Sequence, residues 1–396
     1  MKQHQFSLFQ VISVGIAIFT MFFGAGNLVH PITVGMSSGS HLLIGLLGFL
    51  ITAVCLPLIG LIALILFDGN YNAFFGRLGN KYAKEGAIFI AMLIIGPLIA
   101  VPRIVTLSHT MIAPFLPASL STITLQSSMF FAIVFLCITY LGAIKENGII
   151  VLLGNIIGPI KIAALAIIII KGCFSDVTLY PFIPMDTYSV FFKGFFEGYK
   201  TLDLLGAIFF SSMTLHLLKH NMRGQQASSK QLALLGLQAS FIGAALLALF
   251  YSGLTLLGYL HGQGMEAVDP GELFSIVGFK VMGTSGAAII GVAVFMACLS
   301  TSIALCAVFA EYLQYLVRGH MRFEVALAIT VFLCFPLSIF GLKYVLWLAS
   351  GPIVNIAYPV LIVLTLCNIA YKVWGFKPAR TPVLITLVLA ILNYMR

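Results

Sequence analysis

Two short stretches of this sequence carry chemistry that an otherwise apolar chain must position. Phe22-Phe23-Gly24-Ala25-Gly26-Asn27-Leu28, with Pro31 just beyond, places two glycines and a side-chain amide inside an apolar run. Glycine weakens a helix, so the backbone can unwind there, turning freed amides toward a carboxylate and freed carbonyls toward a cation. Close helix packing through small residues is the competing use, and Asn27 with the early Pro31 argues for binding. Asp203 sits early in a second apolar run that opens Glu197-Gly198-Tyr199-Lys200-Thr201-Leu202-Asp203. An ionised carboxylate inside a membrane costs at least about 2.5 kcal/mol, so Asp203 must pair, coordinate or take a proton.

Three further positions add charge and oxygen. Gly96-Pro97-Leu98-Ile99-Ala100-Val101-Pro102-Arg103 predicts a kinked helix carrying a buried cation. The Arg103 guanidinium suits either a substrate carboxylate or a salt bridge to Asp203 or Glu311, and the bridge is the favoured expectation. Cys298-Leu299-Ser300-Thr301-Ser302 sets three hydroxyls in a row. Helical hydroxyls usually bond back to their own backbone, but here they also suit a hard cation such as Na⁺. Lys161 lies midway through the run from Ile149 to Ile170, too deep to snorkel to either interface, so it needs a protein partner or must lose its proton.

The elements that hold these residues are membrane spans. Of 396 residues 61% are hydrophobic and 8% charged, against about 25% charged in soluble domains. Apolar runs long enough to cross about 30 Å of hydrocarbon predict spans near 7–30, 41–66, 86–112, 127–143, 148–171, 195–218, 231–260, 284–317, 322–340, 342–371 and 380–395. That is eleven, or twelve if 342–371 breaks in two at Ser350-Gly351-Pro352. With eleven spans and the N-terminus inside, thirteen Lys and Arg face the cytoplasm and six the outside, among them Lys2, Arg223, Lys343 and Arg396; this favours a cytoplasmic N-terminus. The net charge of +9 therefore reports topology, not nucleic-acid binding, and the seven scattered cysteines imply neither metal site nor disulfide framework.

The expected fold class is all-α, a polytopic membrane protein with an inverted five-plus-five helix repeat. Residues 1–172 would form the first repeat, 195–371 the second, and 378–396 an extra C-terminal helix. An odd number of spans per half makes the second enter from the opposite face, and in such folds ligands sit at breaks in the first helix of each half.

Four motifs, Phe-Gly-Ala-Gly-Asn-Leu at 23–28, Gly-Pro-x-x-Ala-x-Pro-Arg at 96–103, Glu-Gly-Tyr-x-Thr-x-Asp at 197–203 and Ser-Thr-Ser-Ile before Phe309-Ala310-Glu311-Tyr312, resemble the branched-chain amino acid:cation symporter family in order and placement. The resemblance implies uptake of leucine, isoleucine and valine with a cation, on a leucine-transporter-like fold in a bacterial inner membrane. It implies substrate contacts at Gly24, Ala25, Gly26, Asn27, Thr201 and Asp203. It also implies a cation site from the Thr20 and Phe23 carbonyls, Asn27, and the Thr301 and Ser302 hydroxyls. The chain departs from the family at His30 and Lys161, where aromatic or apolar residues are usual, and it ends about one span short of the usual twelve.

No cofactor is expected beyond Na⁺ or H⁺ as coupling ion, and the partners expected are an amino acid and the bilayer; nothing in the sequence specifies an oligomer. On the implied fold, a protonated Lys161 would satisfy the oxygens that otherwise bind Na⁺, making H⁺ coupling an option; a water-filled vestibule or a pair with Asp203 would leave Na⁺ coupling intact. The alternative transporter reading is the same fold with another small neutral substrate, such as a nucleobase or a hydroxylated amino acid. An intramembrane enzyme would need paired catalytic groups, and Ser108-His109 lacks a glycine-rich oxyanion context. A receptor would need a soluble signalling segment, for which the inner loops are too short.

Overall fold

The computed structural model describes residues 8–145, 148–176, 186–221, 229–265, 268–340, 345 and 349–395. The described chain opens with α1 (Leu8–Phe22) and α2 (Gly26–Ser37), which meet at a 75° bend. Then come α3 (Gly39–Ile65), α4 (Lys81–Phe115), α5 (Leu125–Ala143) and α6 (Leu153–Cys173). The second half opens with another broken pair, α7 (Thr187–Tyr199) and α8 (Asp203–Asn221). It continues with α9 (Ser229–His261), the short helix α10 (Pro270–Met282), α11 (Ala287–Leu316), α12 (Phe323–Ser338), α13 (Gly351–Trp374) and α14 (Arg380–Tyr394).

Among the described residues seven helices are long and apolar enough to cross a bilayer, and the α1–α2 pair makes an eighth. Three shorter apolar stretches, Asp203–Leu215, Phe323–Ser338 and Arg380–Tyr394, fall where the sixth, ninth and eleventh spans are predicted. Most boundaries shift by a few residues, and two differ by more. The first span runs on to Ser37 once it has turned, and the sixth starts at Thr187, because α7 extends the apolar Phe191–Phe196 segment toward the surface. The opening of the predicted tenth span at 342–344, with Lys2, Arg223, Lys343 and Arg396 of the charge count, lies outside the described residues.

Packing between the halves is reciprocal. Helix α9 lies along both α1 and α2, and α3 lies along both α7 and α8, while α4 and α11 pack on each other at the centre. Glycines bring these pairs to backbone contact, as small residues do in lipid. A Cβ on Gly194 of α7 would collide with the Gly45 carbonyl of α3, and one on Gly35 of α2 with the Thr255 carbonyl of α9.

Two Gly-Pro steps bend the helices around the centre. Pro97 pushes Gly96 out of helical geometry, to φ −97° and ψ −116°, and Pro352 does the same to Gly351, at φ −77° and ψ −114°. The cause is the clash of the proline ring with the residue before it. The predicted kink in α4 thus lies at Pro97, while Pro102 sits early in the next helical stretch, Ala100–Ile112, where a proline costs little.

Candidate functional site

The two helix breaks face each other across the core. At the first, the Gly24 amide turns back to the Phe22 carbonyl (2.8 Å), releasing the Thr20 carbonyl from the bond that a continuing helix would make. A Cβ on Gly24 would lie 3.0 Å from Thr301 Oγ1, so glycine lets the unwound turn press against α11. Ala25 and Gly26 enter the first turn of α2, whose amides have no intrahelical acceptor and attract negative charge. At the second break, the Thr201 hydroxyl donates to the Gly198 carbonyl (2.8 Å) and caps α7. Leu202 there adopts φ +61°, a left-handed conformation that costs a non-glycine residue about 1–2 kcal/mol.

Lys161 reaches the first break from α6. Its side chain is fully buried, and Nζ donates to the Thr20 carbonyl (3.0 Å), the Phe23 carbonyl (3.0 Å) and Ser300 Oγ (3.2 Å). The Ser300 hydroxyl spends its own proton on the Ala297 carbonyl (3.1 Å). All three partners are therefore acceptors, which matches the three N–H donors of an ammonium. The rings of Phe19 and Phe23 lie 5.0 and 5.5 Å from Nζ and add cation–π attraction. Gly158 permits the approach, since a Cβ there would meet Thr20 Oγ1 at 2.7 Å.

This arrangement corrects the expected cation set. Ser300 provides the hydroxyl, whereas Thr301 Oγ1 donates to the Ala297 carbonyl (3.3 Å) and Ser302 Oγ pairs with Thr139 Oγ1 of α5 (3.2 Å). Successive helical residues point about 100° apart, so one position in register changes the neighbour. The set as it stands does not fit Na⁺ as well, because Lys161 Nζ already occupies both carbonyls. In its ammonium form it would also repel a second unit charge about 4 Å away by about 4 kcal/mol at an effective dielectric near 20. Among the described residues no group of three or more His, Cys, Asp or Glu side chains could hold a metal ion.

Asn27 turns away from that cation set toward the second break. Its amide donates to Asp203 Oδ2 (2.8 Å) and makes a short hydrogen bond to the Tyr251 hydroxyl, which donates to the same Asp203 oxygen (3.2 Å). Asp203 and Asn27 are both buried. Tyr358 accepts from the Leu204 amide (3.3 Å), taking one of the free donors at the start of α8. The sequence gives little signal for Tyr251, one of two tyrosines in an apolar helix.

Arg103 does not make the expected bridge to Asp203 or Glu311. Its Nη2 donates to His30 Nε2 (3.1 Å) and its Nη1 to the Lys200 carbonyl (3.4 Å). His30 Nδ1 in turn meets Glu197 Oε2 (2.8 Å), while Lys200 Nζ holds Glu197 Oε1 (2.5 Å). The carboxylate is reached through an imidazole, because His30 stands between α4 and α7.

A cavity of about 90 Å³ lies between the breaks, several times the roughly 10–15 Å³ that one water needs. Its lining brings Gly26, Asn27, Arg103, Thr201 and Asp203 together with the apolar Ile95, Leu205, Phe210 and Leu305. The lining also includes Gly24, Ala25 and Thr301. The site therefore joins groups suited to a charged or polar head with apolar side chains in one cavity.

Solved structures share this architecture at low identity. A nucleobase-cation-symport-1 family transporter aligns at a TM-score of 0.58 and 14% identity, covering 98% of this chain and 92% of its own. A manganese transporter of Eremococcus coleocola aligns at 0.61 and 12% identity, covering 99% and 88%. The fold is thus the leucine-transporter-like inverted five-plus-five repeat. In sequence, the branched-chain amino acid permease BraB of Bacillus subtilis is 30% identical over 389 residues, 96% of this chain and 83% of the relative. The permease BrnQ of Escherichia coli K12 is 28% identical over 402 residues, 98% and 87%. A family described as branched-chain amino acid transport protein matches residues 7–396, so this multi-pass membrane protein belongs to the branched-chain amino acid transport family.

Proposed function

We propose that this protein imports leucine, isoleucine and valine across a bacterial inner membrane by alternating access, with H⁺ as the coupling ion at Lys161 and the N-terminus in the cytoplasm. The observation that carries the coupling is the Lys161 ammonium seated on the Thr20 and Phe23 carbonyls and Ser300 Oγ. The substrate class draws support from the permease names of the relatives and from the apolar side chains that line the cavity with Asp203 and Gly26. One methylene in such a cavity is worth only about 1–3 kcal/mol, so the three aliphatic side chains should compete with one another.

The chemistry of the step is a single proton transfer. The protonated amine ties α6 to the unwound turn of α1 and to α11, with hydrogen bonds to a charged donor worth about 1.5–3 kcal/mol each. Opening of the inner side admits cytoplasmic water to the amine, and loss of the proton to that water removes a donor and the charge, loosening α1 at its hinge. Uptake of a proton from outside restores the tie and readies the site for the next substrate.

Uptake of radiolabelled leucine into proteoliposomes under separate H⁺ and Na⁺ gradients tests this. An inward H⁺ gradient without Na⁺ should drive accumulation, and Lys161→Ala should abolish it while exchange of internal for external leucine continues. Strictly Na⁺-dependent uptake that Lys161→Ala leaves unchanged overturns the proton assignment. Transport of none of the three amino acids overturns the substrate assignment.

A further inference from the structure

We infer that Arg103 is the ligand of the substrate carboxylate, and that His30 and Glu197 are positioning residues that aim its guanidinium while leaving its charge available. This deepens the amino acid transport reading and rests on it. Arg103 lines the cavity, and a Cβ built on Gly26 would lie 3.0 Å from its Nη2. The guanidinium therefore lies over the start of α2, where the free amides of Ala25 and Gly26 already favour an anion. Among the described residues its Nε is buried with no hydrogen-bond partner, a donor that a bound carboxylate oxygen would satisfy.

The chemistry of the relay explains why the charge is not spent. Nε2 of His30 accepts from Arg103, so its proton sits on Nδ1 and is donated to Glu197. Imidazole in that form is neutral, and Glu197 is balanced by Lys200 at 2.5 Å. Arg103 is thus oriented by a hydrogen bond to a neutral imidazole and makes no direct ion pair with a carboxylate, much as hydrogen-bond partners orient metal-ligating histidines. A planar guanidinium suits a carboxylate bidentately, while Asp203 at the other break suits the substrate ammonium. The two ends select a free α-amino acid over an amine that lacks the acid group.

Equilibrium binding to purified protein in detergent, comparing leucine with leucinol, separates this role from a structural one. Arg103→Gln and His30→Phe should each weaken leucine binding ten-fold or more and change leucinol binding less than two-fold. His30→Gln, which can still accept from Arg103 and donate to Glu197, should bring leucine affinity back to within about three-fold of wild type. Equal losses for both ligands, or unchanged leucine affinity in Arg103→Gln, overturn the inference. The same comparison across all twenty amino acids keeps it apart from the transport reading. Carboxylate-dependent binding of another amino acid through Arg103 upholds the inference and defeats the branched-chain reading alone. Binding of no amino acid by the wild type defeats both.

Discussion

The hydroxyl of Tyr251 donates to the same Asp203 oxygen that the Asn27 amide holds, so one carboxylate oxygen joins α2, α8 and α9. The two broken helices meet through polar groups supplied by three separate elements. Tyr251→Phe should therefore keep the ring contacts, including the one with Phe23 at 5.7 Å, and lose the tie. A hydrogen bond to a charged group contributes about 1.5–3 kcal/mol, so leucine uptake should fall roughly ten- to hundred-fold. Asn27→Ala and Asp203→Ala should abolish it. All three proteins should elute as the folded species by size exclusion, and wild-type uptake in any of them removes that residue from the site.

Leu202 holds its left-handed conformation at the point where α7 gives way to α8. Leu202→Ile conserves volume but puts a branched Cβ where the backbone tolerates it least. It should lower stability by about 1–2 kcal/mol and slow uptake, whereas Leu202→Asn should keep the turn, because asparagine visits this region readily. Thermal unfolding in detergent distinguishes them; a more stable isoleucine variant would show that the turn is not held in this conformation.

Glycines in this bundle fall into two kinds that substitution by alanine should separate. At Gly194 the new Cβ collides with the backbone of α3, and nothing there can yield short of moving a helix. Gly194→Ala should destabilise by about 1–3 kcal/mol, as overpacking does. At Gly291, inside α11, the added Cβ meets nothing within 4 Å, so Gly291→Ala should stabilise by about 0.5–1 kcal/mol through helix propensity. Shifts in melting temperature of opposite sign are expected, and stabilisation by Gly194→Ala would show that the α3–α7 contact is looser than described.

The breaks were legible because glycine and proline act through the backbone, and their effect is written at their own positions. Gly24 and Gly26 unwind the first helix, and Gly96-Pro97 bends the fourth, where the sequence places them. Asp203 and Lys161 were legible for a related reason: a charge inside an apolar run must find partners. Their partners were harder to read. Ser300, Thr301 and Ser302 are chemically alike, and which one faces Lys161 depends on a rotation of α11 that tertiary packing sets. Arg103 was expected to seek a carboxylate directly, but His30 lies between it and Glu197, and its unprotonated ring nitrogen accepts in the carboxylate's place. Tyr251 is distant in sequence from both residues it holds, so only the packing of α9 along α2 brings it in.

The cation that braces the first helix break is covalently part of the chain. A dissolved ion occupies its site according to its concentration outside, and it must leave before the site can be reset. The Lys161 ammonium is tethered, so it neither dilutes nor diffuses away; its charge can vanish while its atoms remain. Fluctuations in the salt content of the surroundings therefore do not empty this cradle, and the integrity of the unwound turn is insulated from them.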